Sequence, residues 1–164
     1  MQRVADRQEI TDLIYRFCKL VDAGGDELSR IGPEIFTEDG IDDHSDGAIP
    51  KTVQHGRQEI NTFYARRRGQ APGVRMHCAT NIMIDLDGDT ARASWYAIAW
   101  HWSGTAPGTR PERPANVVAL EPVESELRRT PAGWRVSRQA IHFRGVGVGA
   151  ISSPAGVANG AGSH

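Results

Sequence analysis

Asp22, His77 and His101 are the residues of this sequence whose types and spacing suit proton transfer. A carboxylate on one imidazole nitrogen fixes the ring tautomer, leaves the other nitrogen open to a proton and stabilises the imidazolium that results. Asp22 stands four residues after Cys18 and eight after Ile14, on the flank of an apolar helical stripe. A carboxylate in that place is costly unless something satisfies it. Two readings meet the requirement: Asp22 ends the helix beside Gly24 and Gly25, or it turns inward to a partner. Tyr15 lies seven residues earlier, about two turns along nearly the same line, and can present its hydroxyl to the same space.

His77 and His101 stand near the ends of the stretch MHCATNIMIDLDGDTARASWYAIAWHW, residues 76–102. Runs rich in Ile, Trp and Tyr around Asp87-Gly88-Asp89 predict a β-hairpin. Asn81, four residues after His77, shares its strand face by simple alternation. Whether His101 does so depends on the turn. Paired residues of an antiparallel ladder have position numbers that add to a constant. A two-residue loop makes that constant odd and sets the histidines on opposite faces; a three-residue loop or one β-bulge makes it even and unites them. Alternation does not decide, since Ala91, Ala93, Trp95, Ala97 and Ala99 fall on one face and Tyr96, Ile98, Trp100 and Trp102 on the other.

The elements that must position these groups follow from hydrophobic period. Ile10, Leu13, Ile14, Phe17, Leu20 and Val21 keep helical spacing, and Asp6 with Glu9 resembles a capping box, so the spacing predicts a helix over 6–22 that stops at Gly24-Gly25. Residues 26–36 read as a short helix or two turns broken by Gly32-Pro33, followed by a short strand in the acidic run after Phe36. Ile60, Phe63 and Tyr64 mark a third helix over 56–68. The hairpin comes next, then a proline-rich loop, a strand around 115–128, a turn at 130–133 and a strand from Trp134. Helices before a long antiparallel meander give an α+β fold, with helices on one face of a curved sheet. Glu121 and Ser125 share one strand face and are candidates to reach the concave side. The last twenty residues are too rich in Gly, Ala and Ser to predict fixed structure.

Composition narrows the function classes. A chain of 164 residues suits one domain. Its 19 Lys+Arg against 20 Asp+Glu leave a net charge of -1, without the basic excess that nucleic acid or an anionic membrane calls for. Cys18 and Cys78 form no disulfide framework, no apolar run is long enough to span a membrane, and the N-terminus does not read as an export signal. A cytoplasmic protein is the expectation. Asp42, Asp43, His44 and Asp46, with His55 beyond, have hard-ligand chemistry but no metal-site spacing, and read as a solvated acidic loop. Arg66, Arg67 and Arg68 complement the dipole at the end of the third helix. The glycines at 145, 147 and 149 do not form a dinucleotide fingerprint. No metal and no cofactor are expected.

The opening helix ending in Asp22, the run FTED at 36–39, GRQEI at 56–60, His77 with Asn81, DGDTA at 87–91 and RTPAGW at 129–134 together resemble the SnoaL-like proteins of the NTF2-like superfamily. The resemblance is one of order and spacing over roughly residues 5–144. It implies an NTF2-like cone: three N-terminal helices on a curved antiparallel mixed sheet enclosing an apolar pocket, over residues 1–145, with 146–164 as a tail. In the branch that resembles scytalone dehydratase, the hexachlorocyclohexane dehydrochlorinase and the bile-acid dehydratase, it implies Asp22 as orienter of His77, the general base. It further implies His101 as second histidine, and a homodimer or homotrimer. Where that branch carries a tyrosine or lysine helper, this chain has Phe17. The expected activity is a cofactor-independent elimination on a hydrophobic alicyclic or aromatic small molecule, with His101, Tyr15 or Tyr96 as acid or donor and Phe17, Asn81, Trp100, Glu121 and Ser125 lining the pocket. Isomerisation or aldol-type cyclisation in the same pocket, and a non-catalytic binding protein, are the alternatives.

Overall fold

The computed structural model describes residues 1–46, 52–66, 73–105, 110–112, 115 and 117–148. Helix α1 runs Gln2–Ala23, a 3-10 turn Gly25–Arg30 leads into the short α2, Ile31–Ile35, and α3 is Gly56–Arg66. The strands are β1 Phe36–Asp43, β2 Val53–His55, β3 Gly73–Asp87, β4 Thr90–Ser103, β5 Val117–Thr130, β6 Gly133–Ile141 and β7 Gly145–Val148. They form one sheet in the order β2-β1-β6-β5-β4-β3, with β7 also paired to β5. β1 and β6 are parallel and the other pairs antiparallel, which makes the sheet mixed. This is the α+β architecture the sequence predicts, with the three helices on the concave face.

Strand β4 shows why the concave side has room. Its inward residues are Ala91, Ala93, Trp95, Ala97 and Ala99, all buried, while Tyr96 on the outward face is half exposed. Four alanines leave space for a helix and for whatever else the concavity holds. The core above them comes from Ile10, Leu13, Ile14 and Phe17 of α1, Ile31 and Ile35 of α2, Ile60 and Tyr64 of α3 and Trp134 of β6. Each such side chain contributes about 1.5–3 kcal/mol by leaving water.

α1 starts at Gln2 rather than at residue 6, with Met1 at its N-cap and no side-chain cap. Asp6 and Glu9 are therefore not a capping box. Asp6 is buried, and it accepts hydrogen bonds from Gln2 and Trp134 Nε1 and pairs with Arg129 at 2.8 Å. Glu9 takes the Trp134 amide at 2.8 Å. Both hold α1 to the β5–β6 turn, where Gly133 at φ +95° lets the backbone pass beside Glu9. Helix α1 ends where predicted: Gly24, at φ 63°, returns its N–H to the Leu20 carbonyl. Strand β2 was not foreseen, since three residues carry too little pattern. The first four residues of the expected unstructured end, Gly145–Val148, add β7 to the sheet. Arg67, Arg68 and residues 149–164 lie outside the described residues.

Candidate active site

The last turn of α1 lies along the free edge of β3. Asp22 accepts the His77 backbone amide at 3.0 and 3.1 Å through its two oxygens, and its Oδ1 stands 2.6 Å from His77 Nδ1. One carboxylate therefore satisfies an edge-strand N–H and fixes the ring attached to it. This is the inward reading of Asp22, not the helix-terminating one, because Gly24 supplies the stop. With Nδ1–H directed at the carboxylate, His77 Nε2 is the nitrogen left to take a proton. The two side chains are 14% and 25% exposed, so the pair is sheltered yet reachable.

The hairpin parity has a definite answer. Asp87 pairs with Thr90 across a two-residue Gly88-Asp89 loop, so near the turn the partner numbers add to an odd constant. The register shifts between Thr80 and Met83, and from Thr80↔Tyr96 to Gly73↔Ser103 the constant is even. Asn81 and Ile82 are the pair of residues opposed to one, and Asn81 sits at φ 54°, in the left-handed region. This bulge brings His77 and His101 to one face, with ring centroids 5.7 Å apart and planes at 83°. Arg75 is directly opposite His101 in the ladder, two residues before His77, and so on the same face. The sequence reading missed Arg75; counting back two residues from His77 would have found it.

The other expected residues divide. Phe17 is buried on the concave side, edge-on to Tyr64 at 6.1 Å and to Trp95 at 6.5 Å. Glu121 opposes Ala97, and Ser125 opposes Ala93, both on the inward face of β5. Ser125 is buried, and no described group meets its hydroxyl or the Trp95 indole N–H. Tyr15 is 45% exposed and borders an open groove outside α1 with Asp12, Arg16, Lys19 and the flank of His77. Tyr96 and Trp100 face outward, because they pair with Thr80 and Met76 on the face opposite His77. Asn81 is exposed, since the bulge rather than a pocket uses it. These last three therefore stand away from the His77 face, and Tyr15 reaches only the outer flank.

A second polar centre escaped the sequence reading. Asp42, read as part of a solvated acidic loop, is fully buried. Its Oδ2 is 3.0 Å from His44 Nε2 and 2.9 Å from the Tyr64 hydroxyl, and its Oδ1 receives Gln139 Nε2 at 3.3 Å. The acidic run obscured it, but the strand alternation that buries Gly40, Asp42 and His44 together was the available signal. Cys18, beneath Asp22, is no nucleophile: burial, then Asp22 and Cys78, push its thiol up to about 12. At Asp6 the Arg129 guanidinium holds the carboxyl below its usual range against the opposing effect of burial. Among the described residues no three His, Cys, Asp or Glu side chains cluster as metal ligands, and no helix is long and apolar enough to cross a membrane.

A family model described as SnoaL-like domain matches residues 2–140. A Novosphingobium aromaticivorans protein provisionally described as an aromatic ring hydroxylase has a similar structure, with TM-score 0.72 and 26% identity over 88% of this chain and 94% of that one. A second protein of that organism, provisionally a scytalone dehydratase, gives TM-score 0.72 and 14% identity over 89% of each chain. A third, an NTF2-like protein with a cystatin-like fold, gives 0.64 and 23% over 87% and 84%. No curated protein matches the chain.

Proposed function

The chain belongs to the SnoaL-like family, and from that premise we propose that it is a cofactor-independent lyase acting on a hydrophobic alicyclic or aromatic small molecule held on the concave face. The observation that carries this reading is the 2.6 Å contact between His77 Nδ1 and Asp22, which leaves Nε2 as a base beside His101. The likeness to a protein provisionally described as a scytalone dehydratase is consistent with it.

The chemistry runs as follows. His77 Nε2 takes a proton from a carbon next to a carbonyl, and Asp22 balances the imidazolium charge. The electron pair of that C–H bond passes into an enolate, which either takes a proton back or forms the new C=C bond as the C–O bond to a hydroxyl breaks. His101 gives the departing hydroxyl a proton, and water leaves. Arg75, on the same face, supplies positive charge near the carbonyl oxygen, where Tyr15 and Tyr96 do not reach. Apolar walls from Phe17 and Trp95 exclude water and strengthen each electrostatic contact.

The outward face of β3, β4 and β5 supports a homo-oligomer: Met76, Met83, Tyr96 and Leu120 are all exposed there.

The test is proton exchange. Purified protein in D2O is offered a panel of cyclic β-hydroxy ketones, and both deuterium uptake and loss of water are followed by mass spectrometry. Wild type catalyses both, His77→Ala neither, and Asp22→Asn is slower by about 10²-fold, the scale of general-base catalysis. Uptake without water loss would move isomerisation or cyclisation ahead, and neither process at any substrate would favour a binding protein.

A further inference from the structure

Asp42, His44 and Tyr64 form a buried group of the same construction as Asp22 and His77, at the other flank of the sheet. β1 and β3 lie at opposite ends of the sheet path, with only the three-residue β2 beyond β1. Register nevertheless sets the two carboxylate–imidazole pairs on one face of the sheet: His77 pairs with inward Ala99, and Asp42 stands in the row of Gln139, Ser125 and inward Ala93. An aromatic wall joins them: the His44 ring is 6.4 Å from Tyr64, Tyr64 is 6.1 Å from Phe17, and Phe17 stands on α1 five residues before Asp22.

The polarity of this centre is fixed by its contacts. Asp42 is 0% exposed, and its described partners are an imidazole, a phenol and an amide. A buried carboxylate needs every donor it can gather, so His44 Nε2 carries its hydrogen toward Asp42. In the neutral ring, Nδ1 is then an acceptor. No described residue donates to it, while Phe63 lies against the ring at 5.0 Å. The row continues in register, because Gln54 pairs with Asp42 across β1–β2 and Ser125 with Gln139 across β5–β6. Both are at least nine-tenths buried, and Gln54 Oε1 and the Ser125 hydroxyl meet no partner.

We propose that the Asp42–His44 pair is a second binding site of the concavity, in which His44 Nδ1 accepts the hydrogen of a hydroxyl on the end of the substrate remote from His77. The substrate class is thereby narrowed, within the reading of the previous subsection on which this inference rests, to apolar ring compounds that carry a hydroxyl besides the group that departs. Tyr64 and Gln139 hold Asp42, which orients His44; they are positioning residues.

The experiment compares two probes, 4-ethylphenol and ethylbenzene, which share an apolar body and differ in one hydroxyl. Binding to the full chain is measured by calorimetry and by 15N spectra of labelled histidine. The phenol binds wild type about 10-fold more tightly, the equivalent of about 1.4 kcal/mol, and shifts the His44 Nδ1 resonance; ethylbenzene does not shift it. His44→Phe removes the preference and keeps ethylbenzene binding, and His44→Leu, which likewise lacks an acceptor, serves if the phenylalanine variant does not fold. His77→Ala leaves the preference intact. Equal affinity of wild type for both probes, or a preference that survives loss of His44, overturns this inference alone. Failure of wild type to bind either probe overturns it together with the hydrophobic-substrate reading.

Discussion

Asp22→Ala removes the acceptor of two groups at once, the His77 ring N–H and the His77 backbone amide, whereas His77→Ala removes only the first. That asymmetry makes a double-mutant cycle decisive. Hydrogen bonds to charged groups contribute about 1.5–3 kcal/mol, and with side chains 14% and 25% exposed the lower end applies. The ring contact is then worth about 1.5 kcal/mol and the amide contact, to a bifurcated acceptor, about 1 kcal/mol. Asp22→Ala should destabilise by about 2.5 kcal/mol, which at about 2–4 °C per kcal/mol for a chain of this size lowers Tm by roughly 5–10 °C. His77→Ala should cost about 1.5 kcal/mol plus lost packing. In the double variant, about 1.5 kcal/mol of the summed single costs should be missing. Chemical denaturation of the four proteins, monitored by circular dichroism, supplies the numbers. Single-variant costs that add to within about 0.5 kcal/mol would refute the claim that Asp22 and the His77 ring interact.

Further outcomes follow from individual sites. Asn81→Gly should be neutral or slightly stabilising, and Asn81→Val should cost about 1–2 kcal/mol, because a β-branched residue resists the left-handed backbone at φ 54°; equal melting temperatures for the two would contradict the bulge. With its thiol raised to about 12, Cys18 should stay unmodified by Ellman's reagent at pH 8 until denaturant is added, as counted from the released thiolate absorbance. For the homo-oligomer proposed above, replacing exposed Tyr96 and Leu120 by lysine should lower the mass measured by light scattering to that of one chain; a wild type already at that mass, or an oligomer the lysines leave unchanged, would refute the proposed interface.

The helices, the long strands β3 to β6 and the Asp22–His77 pairing were legible in the sequence because each rests on periodicity or on a resemblance carried by spacing. Where the reading went astray, the competing signal was local. Asp6 and Glu9 have the spacing of a capping box, yet their carboxylates are used 120 residues and more downstream, on Arg129 and Trp134, which no local pattern encodes. The side of the sheet on which His101 falls turns on a single extra residue at Asn81 and Ile82, and one inserted residue leaves composition unchanged. Tyr96 and Trp100 attracted attention as aromatic candidates. Their own parity opposite His77, once the bulge is counted, sends them outward. Asp42 and His44 were concealed by neighbours: charges at 39, 43 and 46 made the run look wet, although the alternate residues Gly40, Asp42 and His44 are all buried.

The close fit of α1 against β3 has a consequence for how the protein fails. An unpaired strand edge is a template for aggregation unless something covers it, and here the cover is the last turn of the helix that carries Asp22. Fraying of that turn releases the His77 amide to solvent, unfastens the base and bares the edge in the same motion. Hydrogen exchange at that one amide would thus report three quantities together: the lifetime of the competent site, the frequency of local opening and the rate at which self-association can begin. A preparation that loses activity on storage should form sheet-rich aggregates on the same clock, well before global unfolding is measurable.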